Sequence, residues 1–415
     1  MIRRLIRLLK PLLLAVLLLA LLPCVAEVWL RWQEFRAGRP LLSSDPREEL
    51  LTPSWLTHHQ LKPLRTISGR NPDTGEAFET QTNSFGLRGP EPTIPKPEGV
   101  LRVLVLGDET ILGLDVADAD TFAARLEKIL QSALRQPLSA RASDSPTNSV
   151  EVISAAVPGD CPLLAALRLK HELLGLRPDI VICHFDMSDV ADDYAYRRFT
   201  TFGRGEEPLA CPNPLLEKSV RGVGQQLGDH FLLAQWGQRQ LAKFWRQKRP
   251  DELTDEIAHP LGKYAWLADQ PPDWSHHIQQ TLAALGDVSR VASAGSCRLL
   301  ITTCPTPWQV SATASSGKGV RAGAGIPPDT VFNSPLPFRL LAEAAQKRGL
   351  PLCDVSGEFR QQPNPDRLFL KNAPRLSPQG HELYAAIVAR FLTANTFTAP
   401  PPTANGSGLQ PSELR

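Results

Sequence analysis

A turn rich in acidic residues follows the first strongly apolar segment of the chain. The stretch 102–115, RVLVLGDETILGLD, passes from an apolar strand pattern through Gly107 and Asp108 into the expected start of a helix. Such a turn often presents a nucleophile, because the N-terminus of the helix stabilises negative charge. The presenting residue here is Glu109, whose carboxylate is a poor substitute for a serine hydroxyl. The turn therefore belongs either to a site with another chemistry or to one that has lost its nucleophile.

Other polar residues follow apolar runs further along the chain. Gly159 follows the second run, the segment 186–189 follows the third, and Asp108, Glu109, Asp186 and Asp189 could cluster at the strand ends. Paired carboxylates could serve glycoside hydrolysis, and several could hold a divalent cation. Aspartates at such places more often cap helices or accept hydrogen bonds from loop amides. We therefore predict no metal and no cofactor.

Apolar runs that alternate with helical patterns predict the elements that hold these residues. The runs are 102–106, 150–155, 179–184, 298–303 and 350–354. The helical patterns are 121–135, 163–176, 276–295, 338–349 and 378–395. This alternation predicts an α/β fold with three α/β/α layers and a five-stranded parallel sheet. Ligands of such sheets bind beyond the carboxyl ends of the strands, where the polar residues would meet.

Four segments together resemble the SGNH (GDSL-type) hydrolase family of esterases and acyl-transfer enzymes. They are LRVLVLGDET, AAVPGD, PDIVICHFDMSDVADD and RLSPQGHELYAA, and they occur in the family's order. The segment TNSFGLRG at 82–89 is similar to one found in membrane-anchored bacterial members. The resemblance covers residues 82–395 and implies the flavodoxin-like SGNH-hydrolase fold.

The resemblance also implies which positions would carry ester hydrolysis. The nucleophile position is Glu109 instead of serine, the oxyanion positions are Gly159 and Ser188, the acid position is Ala373 and the base position is Arg375. In active members, a serine, a histidine and an aspartate act together while backbone and amide N–H groups hold the oxyanion. Three triad positions are thus replaced, and loss of a nucleophile or base costs on the order of 10⁶ in kcat.

The replacements suggest an interaction of their own. Glu109 and Arg375 carry opposite charges with planar geometry that suits a bidentate pair. We therefore expect them to form a salt bridge across the former catalytic centre. The expected binding residues are Asp108, Glu109, Gly159, Ser188, Asp189 and Arg375.

The N-terminal 30 residues predict a membrane anchor. Four cations lie within the first ten residues, and the segment 11–30 is apolar apart from Glu27. About 20 apolar residues suffice to cross a bilayer core, and the flanking cations favour a cytoplasmic N-terminus. Cleavage after Ala26 is the competing interpretation. The bulk of the chain is then expected outside the cytoplasm, in the periplasm or at the cell surface.

Composition limits the remaining possibilities. The net charge of +2 gives no argument for a nucleic-acid surface.

We expect an anchor over residues 1–30, a membrane-proximal lead-in over 31–97, a hydrolase-like domain over 98–396 with an insertion at about 200–270, and a disordered tail over 397–415.

These features favour a membrane-anchored, extracytoplasmic protein of the SGNH fold that has lost hydrolysis. It would bind an acylated polysaccharide or a protein partner. The alternative is an active esterase, deacetylase or O-acetyltransferase that uses rearranged groups.

Overall fold

The structure is a computed structural model that describes residues 21–33, 35–36, 50–134, 149–217, 231–234, 236–237 and 262–395. The chain divides into two compact units. The larger unit comprises Leu50–Asn213 and Ile257–Arg415, and the smaller one comprises Met1–Glu49 and Pro214–Glu256. The predicted tail 397–415 and much of the predicted insertion at about 200–270 lie outside the described residues.

The described strands and helices follow in chain order. The strands are β1 (Leu51–Pro53), β2 (His59–Leu61), β3 (Thr66–Arg70), β4 (Ala77–Gln81), β5 (Val100–Leu106), β6 (Ser149–Ser154), β7 (Ile180–His184), β8 (Thr201–Phe202), β9 (Pro208–Ala210), β10 (Arg298–Thr303) and β11 (Leu352–Asp354). The helices are α1 (Glu109–Leu112), α2 (Phe122–Leu134), α3 (Pro162–Arg168), α4 (Asp189–Arg197), α5 (Pro214–Glu217), α6 (Ser275–Ala294), α7 (Val320–Gly323), α8 (Leu336–Lys347), α9 (Ser356–Arg360) and α10 (Pro378–Ala394). Single turns of 3-10 helix lie at Asp118–Asp120, Leu174–Leu176, Ala265–Leu267, Pro307–Gln309 and Pro365–Leu368, and a π-helical turn at Leu169–Leu173 extends α3.

A five-stranded parallel sheet forms the centre of the larger unit. Its strand order is β11-β10-β7-β5-β6, and each neighbouring pair is parallel. All five strands coincide with the predicted apolar runs to within about two residues, so the α/β architecture is confirmed. Strand β5 lies between β6 and β7, and this places its carboxyl end beside the ends of both.

Helices cover both faces of this sheet. Leu104 and Leu106 of β5 pack in one core cluster with Leu285 and Val288 of α6. Val103 and Val105 point to the opposite face, because side chains alternate along a strand, and they are fully buried as well. On the second face α2 packs against α10 and β6. The unit therefore has the three layers that the sequence predicts.

The segment that precedes the sheet belongs to the same unit. Residues 50–97 contain the antiparallel pairs β1–β2 and β3–β4, and a third hairpin, β8–β9, follows α4. Thr57 forms an isolated bridge with Cys211, which joins the segment to the residues that follow this hairpin. Part of the predicted lead-in 31–97 is thus continuous with the α/β domain.

The smaller unit contains helical residues at 21–33 and 35–36. Within this unit, the Glu27 carboxylate accepts hydrogen bonds from the backbone N–H groups of Leu232 and Leu233 at 3.0 and 2.8 Å. Of the helices that the structure describes, none combines the length and the apolar character that crossing a bilayer requires. Residues 1–20, which include half of the apolar segment 11–30, lie outside the described residues.

Candidate functional site

The turn after β5 depends on a close approach that only glycine allows. A Cβ atom on Gly107 would lie 3.0 Å from Cβ of His184 and 3.1 Å from Cγ1 of Ile111. Asp108 then caps helix α1, and its carboxylate accepts a 2.9 Å hydrogen bond from the Thr110 backbone N–H. The sequence thereby brings the end of β7 against the start of α1.

The side chain of Glu109 turns toward the loop after β6. Its Oε2 atom accepts a 2.8 Å hydrogen bond from the backbone N–H of Gly159. Gly159 has a φ of +74°, a conformation that favours glycine. In the family that the sequence resembles, this glycine N–H would hold an oxyanion. In this protein the Glu109 carboxylate is the acceptor of that N–H group.

The polar groups of the loop after β7 form hydrogen bonds with one another. The Ser188 backbone N–H donates to Oδ1 of Asp186 at 2.7 Å, and the Asp186 backbone N–H donates to Oδ2 of Asp189 at 3.1 Å. Ser188 is buried, and its side chain interacts with the Asp192 carboxylate. The predicted second oxyanion position is therefore hydrogen-bonded within the loop.

The predicted meeting of acidic residues at the strand ends is observed. Burial, and then the charges of Asp186 and Glu109, raise the pKa of Asp108 well above its ordinary value. Burial, and then the charges of Asp186 and Asp108, likewise raise the pKa of Asp189. These shifts follow from placing several carboxyl groups close together in a poorly solvated region.

A lysine from the far end of the predicted insertion balances part of this charge. Lys263 Nζ lies 3.2 Å from Oδ2 of Asp192. Burial would lower the pKa of Lys263, but nearby carboxylates, first among them Asp192, raise it above its ordinary value. Burial raises the pKa of Asp192 to about 6 against the opposing effect of Lys263. Sequence reasoning missed Lys263, because nothing in its neighbourhood resembles a site motif.

The predicted salt bridge between Glu109 and Arg375 is not what the structure shows. Arg375 Nε donates to a carboxylate oxygen of Asp115, and among the ion pairs of the described residues none joins Arg375 to Glu109. Asp115 lies in the loop just after α1, so Arg375 reaches the loop and not the helix start. Charge complementarity predicted an acidic partner for Arg375 correctly but selected the wrong one.

The other predicted triad position is filled by a buried backbone segment. Ala373 is buried, and its carbonyl accepts a 2.9 Å hydrogen bond from the Ser315 hydroxyl. The same hydroxyl lies 2.8 Å from the Leu370 carbonyl. The side chain at this position is a methyl group, so it has no carboxylate with which to orient a base.

The segment TNSFGLRG contacts the end of helix α1 through Arg88. The buried Arg88 guanidinium donates to the carbonyls of Leu112, Gly113 and Val116 at 2.6–2.9 Å and pairs with Asp118. These carbonyls end α1 and begin the next loop, so Arg88 fixes the helix that carries Glu109. The sequence singled out this segment by resemblance alone.

Two histidines that the sequence analysis did not single out hold the Gly159 turn. His59 Nε2 lies 2.8 Å from the Pro158 carbonyl, and His59 Nδ1 lies 3.0 Å from Nδ1 of His58. Burial lowers the pKa of His59 to about 3 and that of His58 to about 4. Both rings are therefore neutral at pH 7, and they position the loop through hydrogen bonds and packing.

The known proteins that are similar to this chain are solved structures. No protein-family model matches the sequence, and no curated protein matches it either. Among solved structures, a lipase/acylhydrolase from Enterococcus faecalis is 13% identical with a TM-score of 0.37, over 73% of this chain and 99% of that chain. An acetyl xylan esterase, AlAXEase, is 12% identical with a TM-score of 0.35, over 70% and 99%.

A GDSL-like lipase from Bacteroides thetaiotaomicron is 10% identical with a TM-score of 0.33, over 71% of this chain and 89% of that chain. Similarities at these identities and TM-scores carry no argument about function, so the case for function rests on the residues of the site.

Proposed function

We propose that this chain is a non-hydrolytic protein of the SGNH fold that binds acylated carbohydrate outside the cytoplasm. The observation that carries this proposal is the 2.8 Å hydrogen bond from the Gly159 N–H to the Glu109 carboxylate. Preorganised N–H donors accelerate acyl transfer by stabilising the charge that develops on the substrate oxygen. A donor that is already bonded to a carboxylate oxygen of the protein cannot give that stabilisation to a substrate.

The surrounding hydroxyl groups support the same proposal. The Thr110 hydroxyl lies 3.2 Å from Oδ2 of Asp186, and the Ser188 side chain interacts with Asp192. An activated serine needs an imidazole within hydrogen-bond reach as its base. Both hydroxyls contact carboxylates, whereas the family mechanism uses an imidazole as the base.

The proposed ligand follows from the retained polar groups of the site. Gly159, Ser188 and Asp189 lie at the carboxyl ends of β6 and β7, where ligands of parallel sheets bind. A polysaccharide that carries ester groups has the size and polarity of an esterase substrate. This protein would bind and release it without cleaving its ester bonds. A protein partner is the other ligand class that the sequence analysis kept open.

Ester turnover tests the loss of hydrolysis. The purified chain would be assayed on short-chain aryl esters beside the variant Glu109→Ser/Ala373→Asp/Arg375→His, with far-UV circular dichroism to confirm that both are folded. We expect the wild-type chain to match the uncatalysed rate. Turnover well above background that Ser188→Ala or His381→Ala abolishes would favour the active-enzyme alternative.

Binding to matched polysaccharides tests the ligand. One O-acetylated polysaccharide would be titrated into the protein before and after alkaline removal of its acetyl groups. We expect binding that weakens on deacetylation. Equal affinity for both forms, or no binding to either, would contradict an acylated ligand and leave a protein partner as the better candidate.

The membrane anchor is part of the same proposal. It is supported by the apolar segment 11–30 and the four cations that precede it. Protease added to intact cells and to spheroplasts, with detection of the C-terminal half, tests the orientation. Protection of that half in spheroplasts would contradict an extracytoplasmic location.

A further inference from the structure

Three potential metal ligands converge where two neighbouring strands end. Asp108 lies two residues beyond β5, His184 is the last residue of β7, and Asp186 lies two residues beyond it. One ligand atom from each residue lies within 4.8 Å of the other two, and all three residues are buried. The pairing of Leu106 with Cys183 fixes this convergence, because it sets the strands in register.

His184 directs an unused nitrogen into this cluster. Its side chain is fully buried, and Nε2 has no hydrogen-bond partner among the described residues. That atom lies 3.9 Å from Oδ2 of Asp186, while Nδ1 lies 2.7 Å from the Tyr384 hydroxyl. When Nδ1 carries the proton and donates it to Tyr384, the lone pair of Nε2 faces the two carboxylates. An outer hydrogen bond of this kind orients metal-binding histidines.

Asp108 and Asp186 likewise each direct one carboxylate oxygen, Oδ2, toward the cluster. Oδ1 of Asp108 accepts from the Thr110 backbone N–H, and Oδ1 of Asp186 accepts from the Ser188 backbone N–H. Both Oδ2 atoms face the Thr110 hydroxyl, at 3.5 Å for Asp108 and 3.2 Å for Asp186. One hydroxyl has a single proton, so it cannot donate to both oxygens at once. A cation between them would satisfy both.

We propose that Asp108, His184 and Asp186 form a binding site for a divalent transition-metal ion, with Zn²⁺ as the best fit. One imidazole and two carboxylates suit Zn²⁺ better than Mg²⁺ or Ca²⁺, which prefer oxygen ligands alone. Bonds of about 2.0–2.2 Å to a tetrahedral ion place ligand atoms about 3.3 Å apart. The observed spacing of up to 4.8 Å would have to close to this value when the ion binds.

Bound metal would join the ends of β5 and β7 and stabilise the turn that carries Glu109. It would also neutralise carboxylates that repel one another when buried. This role differs from the ligand binding proposed above, and it holds whether or not the protein binds carbohydrate. It also replaces the prediction of no metal that the sequence analysis made.

Zinc titration of the full-length protein tests the proposal. Protein purified in detergent would be stripped with a chelator and titrated with Zn²⁺ by calorimetry. We expect one equivalent to bind and the thermal midpoint to rise. Asp186→Asn and His184→Gln should weaken binding by at least about tenfold. Asp193→Asn is the matched control, because Asp193 is buried on α4 but pairs with Arg197; it should bind zinc as the wild type does.

X-ray absorption spectra of the zinc-loaded wild-type protein make the test independent of how the variants fold. We expect nitrogen and oxygen scatterers only, with one imidazole. Sulfur ligands, or two imidazoles from a site such as His58 and His59, would overturn the proposal. So would a wild-type protein that binds no zinc, or ligand variants that are folded and bind it undiminished.

Discussion

The Glu109 carboxylate accepts a 2.8 Å hydrogen bond from the Gly159 backbone N–H. This contact joins the two residues that the sequence resemblance assigns to a nucleophile position and to an oxyanion position. In the function we propose, this N–H group is occupied by a side chain of the protein itself and not by a substrate oxygen. That proposal attributes both the missing serine and the occupied donor to the one residue Glu109.

Replacing Glu109 with alanine should destabilise the fold. A hydrogen bond to a charged group is worth about 1.5–3 kcal/mol, and Glu109 is half-buried, so we expect a loss near the lower end. Glu109→Gln keeps an oxygen acceptor at the same place and should cost less than Glu109→Ala. Urea denaturation of both variants measures the difference. Equal stability of the two would contradict a stabilising role for this contact.

Arg375 and Asp115 should be energetically coupled. Their side chains are 16% and 19% exposed, so water screens the pair only partly. A double-mutant cycle of Arg375→Ala and Asp115→Ala should give an interaction of about 1–2 kcal/mol. The matched cycle of Arg375→Ala and Glu109→Ala should be additive within about 0.5 kcal/mol. Strong coupling in the second cycle and none in the first would restore the pair that the sequence predicted.

Arg88 should contribute far more to stability than its acidic partner. The Arg88 side chain is 3% exposed and donates to three carbonyls, whereas Asp118 is 44% exposed. Arg88→Ala removes a donor from all three carbonyls, of which Gly113 keeps the Val116 backbone N–H, and it should cost roughly 3 kcal/mol or more. Asp118→Ala removes an exposed charge and should cost at most about 1 kcal/mol. Comparable losses from both variants in thermal unfolding would show that the ion pair, and not the carbonyl contacts, is what matters.

The sequence predicted the sheet well because burial leaves a clear signal. Each central strand is buried on both faces, so runs such as VLVL and IVIC are apolar without interruption. Because the carboxyl ends of parallel strands meet at one edge of a sheet, the sequence also predicts that Asp108, Gly159 and Ser188 lie at the same edge.

The contacts within the site were beyond the reach of the same reasoning. Arg375 and Asp115 are 260 positions apart, and their meeting depends on how two irregular loops bend. Nothing in periodicity distinguishes Asp115 from Glu109 as a partner of Arg375. His184 ends a predicted apolar run and is buried, but its orientation toward Asp186 depends on the neighbouring strand and on Tyr384.

Acid should destabilise the protein partly through His381. Burial, aided by the charge of Arg88, lowers the pKa of this histidine to about 3, whereas an unfolded histidine titrates near 6.5. Between these values the unfolded chain binds the extra proton, so the free energy of unfolding falls as the pH falls. The slope from one such group is up to about 1.4 kcal/mol per pH unit.

The variant His381→Leu keeps an apolar volume at this position but binds no proton. We expect it to flatten the dependence of unfolding free energy on pH between about 3 and 6.5, as measured by urea denaturation across that range. His276→Leu is the control, because His276 is exposed. An unchanged slope in His381→Leu would contradict the buried, neutral state of this ring.

Covalent labelling tests the absence of an activated nucleophile most directly. The purified chain would be incubated with a fluorophosphonate that reacts with activated serines, and its intact mass would be measured against an active esterase treated in parallel. The account predicts an unmodified mass for this chain and a complete adduct on the esterase. A stoichiometric adduct that maps to Ser188, or to any other serine of the cleft, would contradict it.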